Sequence, residues 1–124
     1  MTIFLPIKTI SEANNSPWTR RQAIAKAART GNQRRMAENV IGANAKSLLF
    51  KVKTIKLTRV CPPRNKIRDG DNLQSALKHI RDGVTLGLVG GKVGQYDSLF
   101  TWEYFQKAGP KNSLQFGVLV EIIP

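Results

Sequence analysis

Asp69-Gly70-Asp71-Asn72-Leu73-Gln74-Ser75-Ala76-Leu77-Lys78-His79-Ile80-Arg81-Asp82-Gly83-Val84 is the stretch on which the reading of this chain turns. Leu73, Ala76, Leu77, Ile80 and Val84 recur at intervals of three and four, which puts them on one face of a helix. Ser75, Lys78, His79 and Asp82 fall on the other side. The spacing predicts a helix from about 72 to 88, buried along its apolar stripe. Gly87, Gly90, Gly91 and Gly94 follow as a flexible connection. Immediately upstream, Pro62-Pro63 ends a strand, and Arg64-Asn65-Lys66-Ile67-Arg68 forms a basic loop leading into the helix.

Working outward, Leu49 to Val60 alternates Phe50, Val52, Thr54, Lys56 and Thr58 with Lys51, Lys53, Ile55, Leu57 and Arg59, a strand pattern with basic residues on part of its surface. Further upstream, Ser16-Pro17 is a helix start, with Ser at the cap and Pro at the first helical position. The Ala-rich stretch from Trp18 to about Leu49 continues it. Gly31-Asn32 interrupts this stretch, so either a kinked helix or two helices, roughly 17 to 30 and 33 to 47, are expected. Met36, Val40, Ile41, Ala45 and Leu48 form its expected buried stripe. Thr2 to Ile10 reads as a first strand and Ser11 to Ser16 as its exit loop. Downstream, Leu99 to Gln106 and Leu114 to Ile123 read as two strands joined by the turn Ala108-Gly109-Pro110-Lys111-Asn112. The order β-α-β-α-β-β predicts one α+β domain over residues 1–124, a mixed or antiparallel sheet with helices packed on one face.

Charge dominates the composition: 20 Lys and Arg stand against 8 Asp and Glu, for a net +12 on 124 residues. The excess is one-sided. Residues 1–68 hold 15 basic side chains and two acids, whereas residues 69–124 hold five basic and six acidic ones. Such a field selects polyanionic partners. Arg20, Arg21, Lys26, Arg34, Arg35, Lys53, Arg64, Lys66 and Arg68 are the candidate nucleic-acid contacts. No apolar run approaches a membrane span, and the opening residues lack the pattern of a signal peptide, so a cytoplasmic protein is expected. Cys61 is the single cysteine and reads as a small buried or loop thiol. Trp18 and Phe100 read better as core packing than as nucleic-acid contacts.

The acids gather in the second half. Asp69 and Asp71, two apart, would project to one side of an extended segment, and a divalent cation would relieve their repulsion. Asp71 has a second reading as a helix cap, with Gln74 three residues on. An EF-hand is excluded, because Leu73 and Gln74 stand where that loop needs an oxygen ligand and a glycine. His79 and Asp82 read as helix-surface residues. Glu103, at an even offset from Asp97 along a strand, would share its side, with Trp102 and Tyr104 as sheet residues.

Asp69-Gly70-Asp71-Asn72-Leu73-Gln74, placed after a strand and at the head of an amphipathic helix, resembles the Asp-x-Asp-Asn-Leu signature of the RusA-type Holliday junction resolvases. Ser11 to Asn15 after the first strand, Asp97-Ser98-Leu99-Phe100 opening a later one, Arg81-Asp82-Gly83 and Thr101-Trp102-Glu103-Tyr104 are similar to the phage and prophage branch of that family. The resemblance implies a homodimeric endonuclease that cuts four-way or otherwise branched DNA in recombination and repair. It also implies that Asp69, Asp71 and Asp97 hold catalytic Mg²⁺, with Mn²⁺ a possible substitute. One departure stands out: the family usually has Lys four residues after the second Asp, and this chain has Ser75. Lys78, one turn further along, or a lysine of the strand at 50–60 would have to supply that charge. Two other readings stay open, a branched-DNA-binding protein with a degenerate site and a basic RNA-binding protein.

Overall fold

A computed structural model of the chain describes residues 1–10, 19–45, 51–90, 99–109 and 115–124. Its elements are β1 (Thr2–Leu5), α1 (Arg20–Ala45), β2 (Thr54–Cys61), a short 3-10 turn (Pro63–Asn65), α2 (Gly70–Val89), β3 (Thr101–Ala108) and β4 (Gly117–Ile123). The expected exit loop from Ser11, the Ser16-Pro17 helix start, Trp18, Leu48, the glycines Gly91 and Gly94, Asp97 and most of the turn after Gly109 lie outside the described residues. The strands form one sheet in the order β1-β4-β2-β3. β2 and β3 are parallel, and β4 runs antiparallel to both β1 and β2. The α+β architecture with a mixed sheet agrees with the sequence reading.

Alternation in β2 decides which sheet face is covered. Ile55, Leu57, Arg59 and Cys61 are buried, whereas Thr54, Lys56, Thr58 and Val60 are only partly so. In register, Trp102, Tyr104 and Gln106 of β3 and Val118, Val120 and Ile122 of β4 share the covered side. Leu5 of β1 joins them opposite Val118. The core lies between this face and the two helices, with Ile55, Leu57, Leu77, Ile80, Val84, Val118 and Val120 all at 0% exposure. Each such side chain contributes roughly 1.5–3 kcal/mol of burial. β1 ends at Leu5, short of the expected Ile10, because Pro6 has no N–H to donate to the ladder. Ile7 and Thr9 beyond it remain buried.

Helix α2 keeps the predicted stripe: Leu73, Ala76, Leu77, Ile80 and Val84 are all buried. Gly83 and Gly87 extend it into a close crossing with α1. A Cβ on Gly83 would stand 2.4 Å from the Arg34 carbonyl oxygen and 2.6 Å from the Ala37 Cβ, and one on Gly87 would stand 2.8 Å from the Glu38 carbonyl oxygen. Only a residue without a side chain admits such contact. Because Gly83 meets Arg34 and Gly87 meets Glu38, the two helices run in the same direction. Their N-termini therefore lie at the same end of the molecule.

Helix α1 is one helix through Gly31-Asn32, so the two-helix alternative of the sequence reading falls, and its buried stripe departs from the expected one. A mid-helix glycine costs about 1 kcal/mol, too little to interrupt a helix tied down on both sides of it. The Thr30 hydroxyl donates to the Lys26 carbonyl at 3.0 Å, and the buried Gln33 amide donates to the Lys8 carbonyl at 3.0 Å. The buried stripe is Thr30, Gln33, Ala37, Ile41 and Ala45, while Met36 and Val40 sit at its margin. The register was hidden because two of its five members are polar. The start of α1 is fixed by Thr19, whose hydroxyl accepts from the Gln22 N–H at 3.1 Å while the Gln22 side chain accepts from the Thr19 N–H at 3.3 Å. This reciprocal capping box satisfies two otherwise orphaned donors.

Candidate functional site

Asp69 closes the loop from β2 and caps α2. Its backbone is extended, at φ −101° and ψ 130°, and its Oδ1 accepts from the Asp71 N–H at 2.8 Å. The cap is thus Asp69, in place of the Asp71 cap considered from sequence. Asp71 is already inside the first helical turn, so the pair does not lie on an extended segment as the alternation argument assumed. A Cβ on Gly70 would find nothing within 4 Å, so the surface between the two acids is open.

From Asp71 onward, one stripe of α2 carries Asp71, Ser75, Lys78 and Asp82, with Gln74 and Arg81 in the adjoining row. Together with Tyr104 of β3 these residues line an open cavity of about 450 Å³. Arg81 is anchored at its wall. Its Nη1 donates to the Tyr104 hydroxyl at 2.7 Å, and its guanidinium lies 4.8 Å over the Trp102 ring. Such a cation–π contact adds about 0.5–2 kcal/mol and fixes the plane of the guanidinium. Two carboxylates and two cations therefore face one concave surface along α2 from Asp71 to Asp82.

The loop feeding this site is pinned from the sheet. Arg59, 2% exposed, donates from Nε to the Thr9 hydroxyl at 3.0 Å, from Nη2 to the Thr9 carbonyl at 2.9 Å, and from Nη1 to the Asn65 carbonyl at 2.8 Å and to Gln106 Oε1 at 2.9 Å. Burial lowers the pKa of its guanidinium, an effect that Cys61 beside it opposes. A buried cation answered by carbonyl and amide oxygens is costly to form and costlier to strip of its partners. The β2 alternation had suggested a basic surface; Arg59 instead points into the core, and Cys61 two residues on is buried with it.

Of the residues singled out from sequence, Asp71 and Lys78 line the cavity two turns apart, Asp69 caps the helix just before it, and Asp97 lies outside the described residues. Ser75 and Lys78 line the same cavity one turn apart. Glu103 faces the other side of the sheet, 3.8 Å from Lys56. Phe100 is 7% exposed and packs edge-on to Trp102 at 6.2 Å. Arg20, Arg21, Arg34 and Arg35 are exposed and Lys26 partly so along α1, while Arg64, Lys66 and Arg68 are exposed on the loop before Asp69. The parallel helix register brings Arg20 and Arg21 to the same end as Asp69. Lys53 stands apart, at the far end of β2. Arg81, Tyr104 and Gln106 were given no site role from sequence. Arg81 was signalled by its place three residues after Lys78, but its partner Tyr104 comes from a strand that only the fold brings near.

Among the described residues there is no group of three or more His, Cys, Asp or Glu side chains placed to hold a metal, and no helix long and apolar enough to cross a membrane. No family model and no curated protein matches the chain.

Proposed function

We propose that the chain is a RusA-like, Mg²⁺-dependent endonuclease that cuts branched DNA at the cavity on α2. The observation that carries this reading is the joint presence of Asp71, Lys78 and Arg81 around one open cavity, beside the exposed basic loop Arg64–Arg68. The donor set suits the metal: Mg²⁺ prefers hard oxygen ligands, takes one or two carboxylates and keeps waters for its remaining positions. Asp71, with Asp69 at its edge and Asp97 from the segment before β3, would hold it. Bound there, the metal would supply an activated water and neutralise charge on the scissile phosphate.

The chain's own groups do the rest. Lys78 and the rigidly held Arg81 bind non-bridging phosphate oxygens, and the open surface at Gly70 lets the sugar-phosphate backbone approach. The Asp69 cap fixes where Asp71 sits. Cations on α1 and on the loop position the duplex arms without reading their sequence.

A four-way junction presents two equivalent strands, so resolving it needs two sites related by a two-fold axis. The second copy would seat on the sheet face opposite the helices. Phe4 and Phe105 are 39% and 46% exposed there, and Lys56, Lys107, Glu103 and Glu121 balance in charge on an otherwise strongly basic protein.

Two observations favour a second reading, a branched-DNA-binding protein without turnover: Asp69 is engaged as a helix cap, and Ser75 stands where the resembled family has Lys. Nicking of a synthetic four-way junction with Mg²⁺, set beside Asp71→Asn and binding in EDTA, separates the two. Cleavage lost in the variant with binding retained supports the nuclease. Tight binding without cleavage supports the binder, and a preference for RNA over either DNA form overturns both.

A further inference from the structure

The loop between β2 and α2 is held along its inner side and carries its cations on the outer one. Ile67 packs against the core, and both of its backbone groups are taken up by one side chain of the sheet: the Gln106 amide accepts from the Ile67 N–H and donates to the Ile67 carbonyl, each at 2.8 Å. Arg59 donates to the Asn65 carbonyl at 2.8 Å, and the Asn65 N–H donates to the Pro62 carbonyl at 2.9 Å. At the other end the Asp69 carbonyl accepts from the Leu73 N–H at 3.0 Å. The backbone between these anchors is drawn out, with Lys66 at φ −64° and ψ 133° and Asp69 at φ −101° and ψ 130°. Lys66 and Arg68, both exposed, flank the inward-turned Ile67.

We infer that this loop is a preformed clamp for one strand of the bound DNA, with Lys66 and Arg68 each taking one of two successive phosphates. The inference rests on the DNA reading above and specifies which part of the substrate the loop holds. Two residues of drawn-out chain cover roughly 6–7 Å, about one nucleotide step along a strand, so the two cations suit neighbouring phosphates. Arg68 offers a planar fork to two phosphate oxygens, and Lys66 a point charge. A mobile loop would lose backbone entropy each time it bound, whereas here the chain is ordered by folding itself. Asp69 follows Arg68 directly and Asp71 lines the cavity, so the clamped strand leads to the cavity mouth. Phosphate contacts carry no sequence information but fix register. The clamp thereby sets how far from the branch the cavity falls, and Gln106 and Arg59 act as positioning residues through the loop.

Synthetic four-way junctions in which single phosphates near the branch are replaced, one at a time, by neutral methylphosphonates test this through binding at low salt in EDTA. Two adjacent positions at a fixed distance from the branch should each cost roughly tenfold in affinity, more than the positions on either side. Lys66→Gln should abolish the sensitivity at one of the two and Arg68→Gln at the other, both with thermal midpoints close to that of the intact protein. Gln106→Leu keeps both cations and should spread the loss over a longer run of phosphates. A lower thermal midpoint with the pattern still sharp would confine Gln106 to stability and overturn its positioning role. Junction binding with a flat methylphosphonate pattern, or with a pattern unchanged in Lys66→Gln and Arg68→Gln, overturns the clamp and leaves the DNA reading standing. Absence of junction binding by the intact protein, or a preference for RNA, removes that reading and the clamp with it.

Discussion

Gln106 and Ile67 exchange two hydrogen bonds: the Gln106 Oε1 accepts from the Ile67 N–H and its Nε2 donates to the Ile67 carbonyl, both at 2.8 Å. The same Oε1 accepts from Arg59. A side chain near the end of β3 thereby completes the backbone hydrogen bonding of the loop that delivers Asp69. Gln106→Leu keeps the volume and removes all three bonds. We expect a loss of about 2–4 kcal/mol in urea unfolding. Amide exchange should quicken first at residues 64–69, and uniform quickening across the chain would show that the bonds serve the whole fold instead.

Helix crossing predicts a contrast between two glycines. Gly83→Ala places a methyl against the Arg34 carbonyl and the Ala37 side chain, and should cost about 2–3 kcal/mol. At Gly42 a Cβ would lie 3.6 Å from the nearest atom, an ordinary contact. Gly42→Ala should therefore be neutral or stabilise by up to about 1 kcal/mol through helix propensity. Thermal melts of the two variants check the sign of each.

Capping and metal binding at Asp69 are separable. Asn caps as well as Asp, so Asp69→Asn should leave the melting temperature close to that of the intact protein, whereas Asp69→Ala should cost about 1 kcal/mol. If Asp69 also holds the metal, Asp69→Asn loses Mg²⁺-dependent nicking despite its intact helix. Full nicking by Asp69→Asn would confine Asp69 to the cap.

Ser75 and Lys78 line one cavity, so a cation moved between them stays within it. Lys78→Ser should slow nicking by about 10²–10³-fold if Lys78 stabilises the transition-state charge. Adding Ser75→Lys to that variant should recover a large part of the rate. A double variant as slow as the single one would show that the charge is needed at Lys78 itself.

Salt dependence gives an independent reading of the basic surface. With about six phosphates neutralised, affinity should fall roughly 10³-fold between 50 and 200 mM salt. Lys53→Gln, remote from the loop and from α1, should leave the slope unchanged, while Arg64→Gln should reduce it by about one.

The sequence by itself determined what depends on neighbours along the chain. The α2 stripe from Leu73 to Val84, the β2 alternation and the order of elements were legible because three-and-four and two-residue periodicities are local consequences of backbone geometry. The one-sided charge was legible from composition alone, whereas the alternation argument for Asp69 and Asp71 failed because the helix begins between them. What tertiary structure decided is everything that joins distant segments. Arg59 is a core residue because Thr9, Asn65 and Gln106 converge on it, and no pattern within Thr54–Cys61 announces that. Gln33 replaces an apolar residue on α1 because the Lys8 carbonyl satisfies it. Arg81 becomes part of the cavity only when β3, paired parallel to β2, sets Trp102 and Tyr104 against it. Hydrogen bonds and close packing between segments far apart in sequence leave no period to read, and in this protein they fix both the crossing of the helices and the wall of the site.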